Sequence, residues 1–221
     1  MAPVRTVGIL GGTGPAGRGL GTRLAAAGFE VVLGSRAQER AAEAAAALVA
    51  QGLSGVTGAS NEAAASASLV VVATPWDGAI ATARELRGAL SGKVVVSMVN
   101  ALARFGTEFH ALVPVRGSLA ATLQAVLPEA RVAAAFHHLP AGPLADLSQP
   151  IEADVLVCAD DREAAETTIA MTDQMEGLRG VYAGSLASAN ALETLTAVLL
   201  NVNRRYKTHA SLRLTGINPE R

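Results

Sequence analysis

Residues 4–17 read VRTVGILGGTGPAG, and this stretch decides the fold. Val4–Leu10 is a short apolar run with branched residues, which predicts a first β-strand. Pro15–Ala27 has the pattern of a first helix. Read from Gly12, the turn between them has the spacing G-x-G-x-x-G, which is typical of a loop that holds a dinucleotide pyrophosphate. The pattern is weak by itself, and its place between a strand and a helix makes it specific.

The chemistry of this turn favours an anionic ligand. Glycines permit a tight turn, close approach of the backbone to a pyrophosphate and packing of helix on strand. The free N–H groups and the dipole at a helix N-terminus attract an anion. The alternative is a glycine turn that serves only packing. The candidate pyrophosphate contacts are Gly12, Thr13, Gly14, Pro15, Ala16 and Gly17.

Strand and helix patterns alternate over the first 140 residues. Further strands are predicted at Phe29–Leu33, Val56–Gly58, Leu69–Ala73, Val94–Met98 and Arg131–Phe136. Further helices are predicted at Ala37–Gln51, from Asn61, at Asp77–Leu90 and at Ser118–Leu127. Strands separated by helices form right-handed βαβ units, so we expect an α/β fold with the doubly wound parallel sheet of a Rossmann domain.

This rhythm changes after His137. Leu139–Pro150 contains three prolines and suggests a crossover loop between domains. The remaining elements are a strand at Asp154–Cys158, a helix at Arg162–Met175, an extended piece at Arg179–Ala183 and a long helix from Ser185. We expect a dinucleotide-binding domain at residues 1–142, and a smaller, mainly helical domain at 143–221 that completes the substrate site.

The bulk composition excludes several classes of function. The chain has 221 residues, half of them hydrophobic, with a net charge of −1 and no basic run. Nucleic acid is therefore not an expected partner, because neutralising phosphates requires clustered Lys and Arg. Cys158, the single cysteine, cannot form an internal disulfide, and there is no long apolar segment. We expect a cytoplasmic protein without a membrane partner.

The end of the second strand indicates which dinucleotide binds. NAD-binding proteins usually carry Asp or Glu there for the ribose 2′-hydroxyl. Here Ser35 and Arg36 follow the strand, with Arg40 one turn later, and these groups suit the 2′-phosphate of NADP. Glu30 lies at the start of the strand, on the wrong edge of the sheet. The alternative, that both arginines are ordinary solvated helix residues, stays open.

Five segments together resemble the NADPH-dependent reductases of coenzyme F420, a deazaflavin. They are GILGGTG (8–14), GSR (34–36), TPW (74–76), AFHHL (135–139) and NRRYK (203–207), which span nearly the whole chain. Enzymes of this family pass a hydride between C4 of the nicotinamide and C5 of the deazaflavin ring. Residues 100–117 match the family poorly, which leaves the lip of the substrate pocket undefined.

The resemblance also implies roles for individual residues. It assigns NADP contacts to Thr13, Gly14, Ser35, Arg36 and Arg40. It implies that the nicotinamide or its ribose is contacted by Thr74, Pro75 and Trp76. It implies that the deazaflavin ring is contacted by His137, Leu139 and Ala141, with Leu212 lining the same site.

The chemistry read from the residues agrees with this family. Hydride transfer needs two oriented rings and exclusion of water, and no side-chain nucleophile. The serines lie on no G-x-S-x-G elbow. His137 is the candidate catalytic residue, because it can donate a hydrogen bond to a deazaflavin carbonyl or N1. A histidine that ends a strand and is satisfied by backbone is the alternative.

Three other functions remain open. A related NADP-dependent reductase of imines or hydroxy acids would share the fold, but the predicted helices at Arg162–Met175 and 185–203 contain no catalytic lysine. A short-chain reductase would need a Tyr-x-x-x-Lys dyad, which is absent. An NADP-binding redox sensor would bind the nucleotide without turnover, so only hydride transfer separates it from an enzyme.

Two further expectations concern metals and assembly. No spacing recommends a metal site, because His137 and His138 would point to opposite faces of a strand. The basic residues Arg204, Arg205 and Lys207 follow the last helix and either meet an acidic coenzyme tail or balance the helix dipole. That helix carries an apolar stripe that suits core packing or a homodimer contact, formed by Leu192, Leu195, Leu199 and Val202.

Overall fold

The computed structural model describes residues 5–217. Its strands are β1 (Thr6–Leu10), β2 (Glu30–Ser35), β3 (Val56–Ser60), β4 (Leu69–Val72), β5 (Val94–Ser97), β6 (Leu102–Phe105), β7 (Glu108–Ala111), β8 (Arg131–Ala134), β9 (Ala153–Ala159) and β10 (Leu178–Tyr182). Its helices are α1 (Pro15–Ala26), α2 (Gln38–Val49), α3 (Asn61–Ala65), α4 (Trp76–Glu85), α5 (Arg87–Leu90), α6 (Leu119–Val126), α7 (Ala141–Ala145), α8 (Arg162–Thr172) and α9 (Ala189–Tyr206), the last preceded by a 3₁₀ turn at Leu186–Ser188.

Eight strands form one sheet in the order β3-β2-β1-β4-β5-β8-β9-β10. The first six run parallel, β9 is antiparallel to β8, and β10 is parallel to β9. The first six strands thus have the order of the doubly wound Rossmann fold, as predicted. The strand order reverses between β1 and β4. We call the edge where the parallel strands end the carboxyl edge, and ligands of such sheets bind in the crevice beyond it.

Burial on both faces explains the composition of the central strands. Every residue of β4 and β5 is buried, and these strands read LVVV and VVVS. A parallel sheet covered by helices on both faces requires such continuous apolar runs. One core packs the sheet against α1, α2, α7 and α8, and the other lies beneath α3–α6 and the start of α9. The strand prediction succeeded here because both segments are short and rich in β-branched valine.

The C-terminal part adds strands to the same sheet. β9 and β10 extend it beyond β8, while α8, the 3₁₀ turn and α9 make the rest of this part mainly helical. The division of the chain into domains 1–142 and 143–221 stays a prediction. The predicted crossover loop at Leu139–Pro150 contains α7, a short helix.

Several predicted boundaries were wrong. β8 ends at Ala134 instead of Phe136, because Phe136 has a positive φ of 67°, which no strand residue adopts. The helix predicted over Asp77–Leu90 is two helices, α4 and α5, that meet at Leu86. The segment 100–117, for which no element was predicted, contains the antiparallel hairpin β6–β7.

The hairpin is held against the last helix. The Asn201 side chain on α9 accepts a hydrogen bond from the Phe109 N–H (2.8 Å) and donates one to the Phe109 carbonyl (2.9 Å). The Asn201 side-chain amide therefore satisfies both the N–H and the carbonyl group of Phe109. Within residues 5–217, no helix combines the length and apolar character needed to cross a membrane.

Candidate functional site

The glycine turn after β1 is shaped by close backbone approaches. Gly11 has φ +72°, and a Cβ there would lie 2.8 Å from the Thr74 Cα at the end of β4. At Gly17, on α1, a Cβ would lie 3.0 Å from the Gly12 Cα and from the Gly11 carbonyl oxygen. Only glycine lets α1 pack this closely on the turn. The turn thereby brings the start of α1 next to the residues that follow β4.

The N-terminus of α1 is open for an anion. Its N-cap residue, Gly14, makes no side-chain cap hydrogen bond, and the first turn holds no acidic residue. Pro15 has no N–H to lose at the first helical position. The first-turn N–H groups of Ala16 and Gly17 have no intrahelical partner. The positive end of the helix dipole lies at this N-terminus, at the carboxyl edge of the sheet. Thr13 is partly buried within the same turn.

Asn61 supports this turn and was missed by sequence reasoning. Its side-chain oxygen accepts a hydrogen bond from the Gly11 N–H at 3.2 Å. A Cβ at Gly34 would lie 2.8 Å from the same oxygen, so Asn61 also abuts the end of β2. The available signal was Ser60, a good N-cap residue, whose hydroxyl accepts from the Ala63 N–H. That signal predicts the start of α3 but reveals no contact 50 residues away.

The end of β2 presents a hydroxyl and two guanidiniums. The buried Ser35 hydroxyl oxygen accepts from the Ala37 N–H at 3.2 Å, which leaves its proton free to donate. Arg36 and Arg40 are exposed, and neither forms an ion pair with any residue in 5–217. Glu30 lies at the other end of β2, where it accepts from the Thr6 hydroxyl at 3.0 Å. Its carboxylate is therefore remote from the carboxyl edge.

The residues after β4 continue the edge next to the glycine turn. The Thr74 hydroxyl oxygen is buried and has no hydrogen-bond partner among the described residues. Pro75 is the N-cap residue of α4 and Trp76 is its first residue, with 41% of Trp76 exposed. A buried hydroxyl without a partner is unfavourable by itself and favourable once a ligand supplies one.

His137 and His138 lie in a turn, which corrects the expectation that they belong to a strand. Phe136 has a left-handed backbone, and its carbonyl accepts from the Leu139 N–H at 3.2 Å. The prediction of opposite strand faces was wrong for this reason. Both histidines are buried. The His138 Nε2 atom lies 2.7 Å from the Asp154 carbonyl oxygen, so a hydrogen bond from this ring holds the turn to the start of β9.

The His137 imidazole has no such partner. His137 is 3% exposed, and neither nitrogen of its ring forms a hydrogen bond within the described part of the chain. Burial, reinforced by the neighbouring His138, lowers the pKa of His137 to about 3. The ring is therefore neutral near pH 7, with one nitrogen that donates and one that accepts. A neutral imidazole can donate or accept a hydrogen bond, and it does not suit proton donation by an imidazolium.

The remaining candidates lie around this turn. Leu139 is buried beside it, and Ala141 begins α7 two residues later. The Leu212 carbonyl accepts from the Asp154 N–H at 2.8 Å, which places the C-terminal segment at the same edge of the sheet. Arg204 and Arg205 are exposed in the last turn of α9, where they balance its dipole.

A buried arginine on α1 organises the crossover segment, and the sequence did not single it out. The Arg23 Nε donates to the Leu144 carbonyl at 3.2 Å. Its Nη2 donates to the carbonyls of Pro143 (2.6 Å), Asp146 (2.8 Å) and Gln149 (3.0 Å). Desolvation lowers the pKa of Arg23, although Asp146 opposes the shift. The guanidinium thus fixes α7 and the following loop onto α1.

The described residues offer neither a metal site nor a reactive cysteine. In 5–217, no three histidine, cysteine, aspartate or glutamate side chains are grouped to hold a metal ion. Cys158 is buried in β9, and burial raises the pKa of its thiol to about 11. Because the thiolate is the nucleophile, this cysteine is unreactive near neutral pH.

Comparisons with known proteins agree with this geometry. The family model for coenzyme F420-dependent NADP oxidoreductases matches residues 6–101. The chain is 34% identical to the F420-dependent NADP reductase of Methanocaldococcus jannaschii over 220 residues, which is 96% of this chain and 98% of that protein. It is 34% identical to the enzyme of the same name from Methanothermobacter thermautotrophicus over 97% of this chain and 96% of that protein.

A solved structure extends the likeness to three dimensions. A candidate F420-dependent NADP reductase from Arthrobacter sp. FB24 superposes with a TM-score of 0.77 at 25% identity, covering 93% of this chain and 96% of that one. The two methanogen reductases exceed 30% identity along essentially the full length of both chains. It belongs to the family of F420-dependent NADP reductases.

Proposed function

We propose that this protein transfers a hydride between NADP(H) and the deazaflavin coenzyme F420. The observation that carries the proposal is that two features follow strands at the carboxyl edge: the uncapped N-terminus of α1 after β1, and a buried histidine without partners after β8. The first feature suits a pyrophosphate and the second suits a polar ring edge. The reductases of M. jannaschii and M. thermautotrophicus carry this activity in their names.

The NADP end of the site is the better defined. The free N–H groups at the start of α1 receive the pyrophosphate, and Thr13 adds a hydroxyl. The free proton of Ser35 and the unpaired guanidiniums of Arg36 and Arg40 receive the 2′-phosphate through charge-assisted hydrogen bonds. Gly14 meets only one atom within 4 Å of a built Cβ, the Gly11 carbonyl oxygen at 3.5 Å, so the space above it is open for the ligand.

The other end of the site binds and orients the nicotinamide and deazaflavin rings. When both substrates are bound, the hydride leaves C4 of NADPH with its electron pair and bonds to C5 of the oxidised deazaflavin, and solvent supplies a proton to its N1. The chain holds the two rings together between Thr74–Trp76 and His137–Ala141, with Leu212 at the border. The neutral His137 donates a hydrogen bond to the deazaflavin carbonyl or N1, where negative charge develops.

A single assay tests this function against the alternatives. NADPH is mixed with the protein and oxidised F420, and the absorbance of the oxidised deazaflavin is followed. We expect rapid loss of that absorbance with NADPH and a much slower loss with NADH. Quenching of Trp76 fluorescence by NADPH without any hydride transfer would identify a redox sensor. Oxidation of NADPH by an imine or a 2-keto acid, with F420 inert, would identify the related reductases instead.

The nucleotide preference has its own test. Arg36→Glu places a carboxylate where the 2′-phosphate binds, so we expect kcat/KM for NADPH to fall on the order of 10- to 100-fold while that for NADH changes little. Arg5→Glu is the matched control, because Arg5 is an exposed arginine before β1, at the opposite edge of the sheet. Equal losses with both nucleotides in Arg36→Glu would remove this residue from the phosphate site.

We also propose a homodimer in the cytoplasm. The exposed side of α9 carries Val198, which is 55% exposed, between the half-buried Leu195 and Leu199, whereas Leu192 belongs to the core. An apolar stripe on a helix surface suits a second copy of the chain. Light scattering after size exclusion should give twice the chain mass, and Val198→Glu should shift it to the monomer. A monomer in the unmodified protein would refute the dimer.

A further inference from the structure

We infer that Asn100 is a positioning residue for His137 and acts through the main chain of the turn Phe136–Leu139. The inference rests on the proposed function in one respect, because His137 is taken to contact the deazaflavin ring. Asn100 follows β5, which is the neighbour of β8 in the sheet. No motif in the sequence distinguishes it, and it lies in the segment where the family resemblance is weakest.

Asn100 is hydrogen-bonded to the turn and lies beside the Thr196 hydroxyl of the last helix. The Asn100 Nδ2 donates to the His137 carbonyl oxygen at 3.1 Å. The Thr196 hydroxyl on α9 has a single proton and lies 3.0 Å from the same carbonyl, 3.2 Å from the Asn100 Oδ1 and 3.4 Å from the Leu192 carbonyl. It donates to one of these acceptors at a time, and the His137 carbonyl is the nearest. The His137 carbonyl thus has two donors within hydrogen-bonding distance, on residues 37 and 59 positions away along the chain.

The hydrogen bonds to the His137 carbonyl matter because the imidazole ring of His137 forms none. Neither imidazole nitrogen of His137 has a partner among the described residues, whereas His138 is fixed by its bond to the Asp154 carbonyl. The preceding Phe136 adopts a left-handed conformation that is unfavourable for a bulky residue. Such a backbone persists only when its surroundings over-determine it. The Asn100–Thr196 pair supplies that constraint at the carbonyl next to the ring.

The amide of Asn100 has a defined orientation in this network. Its Nδ2 donates to the His137 carbonyl, and its Oδ1 lies toward the Thr196 hydroxyl, which is the orientation that places a donor opposite each acceptor. Removing the amide leaves the His137 carbonyl with Thr196 alone. The turn then gains freedom where small displacements of a ring weaken hydride transfer.

A purely structural role would give the same hydrogen bonds, so the test needs a matched control. Gln124 provides one, because its amide also holds backbone groups around β8. It donates to the carbonyls of Leu127 (3.1 Å) and Ala130 (2.9 Å) and accepts from the Val132 N–H (3.0 Å), all at the start of the strand and away from the carboxyl edge. The variants Asn100→Leu and Gln124→Leu therefore remove equivalent groups from the two ends of one strand.

The measurements are kcat for F420 reduction, the dissociation constant of NADPH, the deuterium isotope effect with NADPH labelled at C4, and the urea midpoint. In Asn100→Leu we expect kcat to fall about tenfold or more and the isotope effect to rise, with NADPH affinity unchanged within about twofold. In Gln124→Leu we expect only the urea midpoint to fall. Thr196→Val should also lower kcat, and Thr196→Ser, which keeps the hydroxyl, should retain the kcat of the unmodified protein. In the double variant Asn100→Leu, Thr196→Val, the loss of transition-state free energy should not exceed the sum of the two single losses.

Two results would overturn the inference. One is an Asn100→Leu protein that loses only urea stability, and the other is equal kinetic loss in Asn100→Leu and Gln124→Leu. Failure of the proposed function is seen separately, as absence of F420 reduction by the unmodified protein. In that case the imidazole NMR signals of His137 decide the positioning role: Asn100→Leu should shift them and Gln124→Leu should not, and unshifted signals in both would refute it.

Discussion

At the scale of single residues, His137 is the least satisfied group in the site. A buried polar atom without a partner costs about 1–3 kcal/mol, and this imidazole has two such nitrogens within the described structure. Thr74 adds a buried hydroxyl in the same condition. Buried groups without partners are rare in native proteins, and they are found at strained or functional positions. The imidazole stays neutral for the same reason, because burial excludes the water that would stabilise its charge.

This burial predicts a loss of stability in mild acid. The pKa of His137 is about 3 in the fold against 6.5 for an ordinary histidine, so between these values the unfolded chain binds a proton that the native protein does not. The free energy of unfolding therefore falls by about 1.4 kcal/mol for each pH unit from pH 6.5 downward, until about pH 3. Urea titrations at several pH values measure this slope, and His137→Leu should reduce it.

The difference in pH dependence between the unmodified protein and His137→Leu reports on His137 alone, because all other titrating groups are present in both proteins. Burial also lowers the pKa of His138, so part of the acid sensitivity persists in His137→Leu. Urea midpoints at pH 7 show that the variant folds. Parallel pH curves for the two proteins would mean that His137 titrates normally and is accessible to water.

At the scale of elements, α1 serves two parts of the site. Its N-terminus follows the glycine turn, and its flank packs on α7, which begins at Ala141. A Cβ at Gly19 would lie 2.8 Å from the Leu144 Cβ and 3.0 Å from the Ala141 carbonyl oxygen. Arg23, one turn later, binds the carbonyls that follow. The spacing of α1 and α7 therefore sets the position of the residues expected at the deazaflavin ring.

A single methyl group tests this packing. Gly19→Ala must push α7 away from α1, so we expect a loss of about 1–3 kcal/mol in unfolding free energy and a higher KM for F420. Gly88→Ala is the matched control, because a Cβ on α5 meets nothing within 4 Å. It should gain up to about 1 kcal/mol from helix propensity and leave both KM values unchanged. Unaltered stability and KM in Gly19→Ala would show that α7 shifts freely.

At the scale of the whole molecule, Asp154 joins the C-terminal segment to the sheet. Its buried carboxylate forms a bidentate pair with Arg179 (2.8 and 2.7 Å) and accepts from the Leu214 N–H at 2.6 Å. Burial by itself would raise the pKa of Asp154, but the bonds from Arg179 and Leu214 outweigh it and lower the pKa. The stabilisation is thus present at neutral pH and is lost as the pH falls through the lowered value.

Breaking this pair should release the C-terminal segment. In Arg179→Met the buried Asp154 carboxylate loses its bidentate partner and keeps only the more distant Arg213, whose Nη1 lies 3.8 Å from Oδ1. We therefore expect a lower urea midpoint and about tenfold or more faster hydrogen exchange at Leu214. Arg162→Met is the control, because Arg162 pairs with Glu166 on the exposed face of α8. Surface pairs of this kind contribute little. Equal exchange at Leu214 in both variants would refute the role of Asp154.

Much of the fold and part of the site followed from local patterns. The alternation of apolar strands and helices predicted the parallel sheet. Gly28, whose φ is +87°, lies just after the C-cap of α1, where glycine commonly terminates a helix. Arg23, Asn61 and Asn100 were missed because their partners lie 37 to 126 residues away. Hydrogen bonds over such separations leave no periodic trace in a sequence. The antiparallel direction of β9 was hidden for a similar reason, because a buried strand reads alike in both directions.

The sequence by itself determined the glycine turn, the order of strand and helix, and the residues after β2 that indicate NADP, since each depends on residue type at a short spacing. The tertiary structure alone decided that the turn at Phe136 leaves the carboxyl edge with a buried, neutral His137, and that its carbonyl meets Asn100 and Thr196. The physical reason is that burial and distant hydrogen bonds are properties of the packed chain. Protonation and position of a side chain follow from those properties.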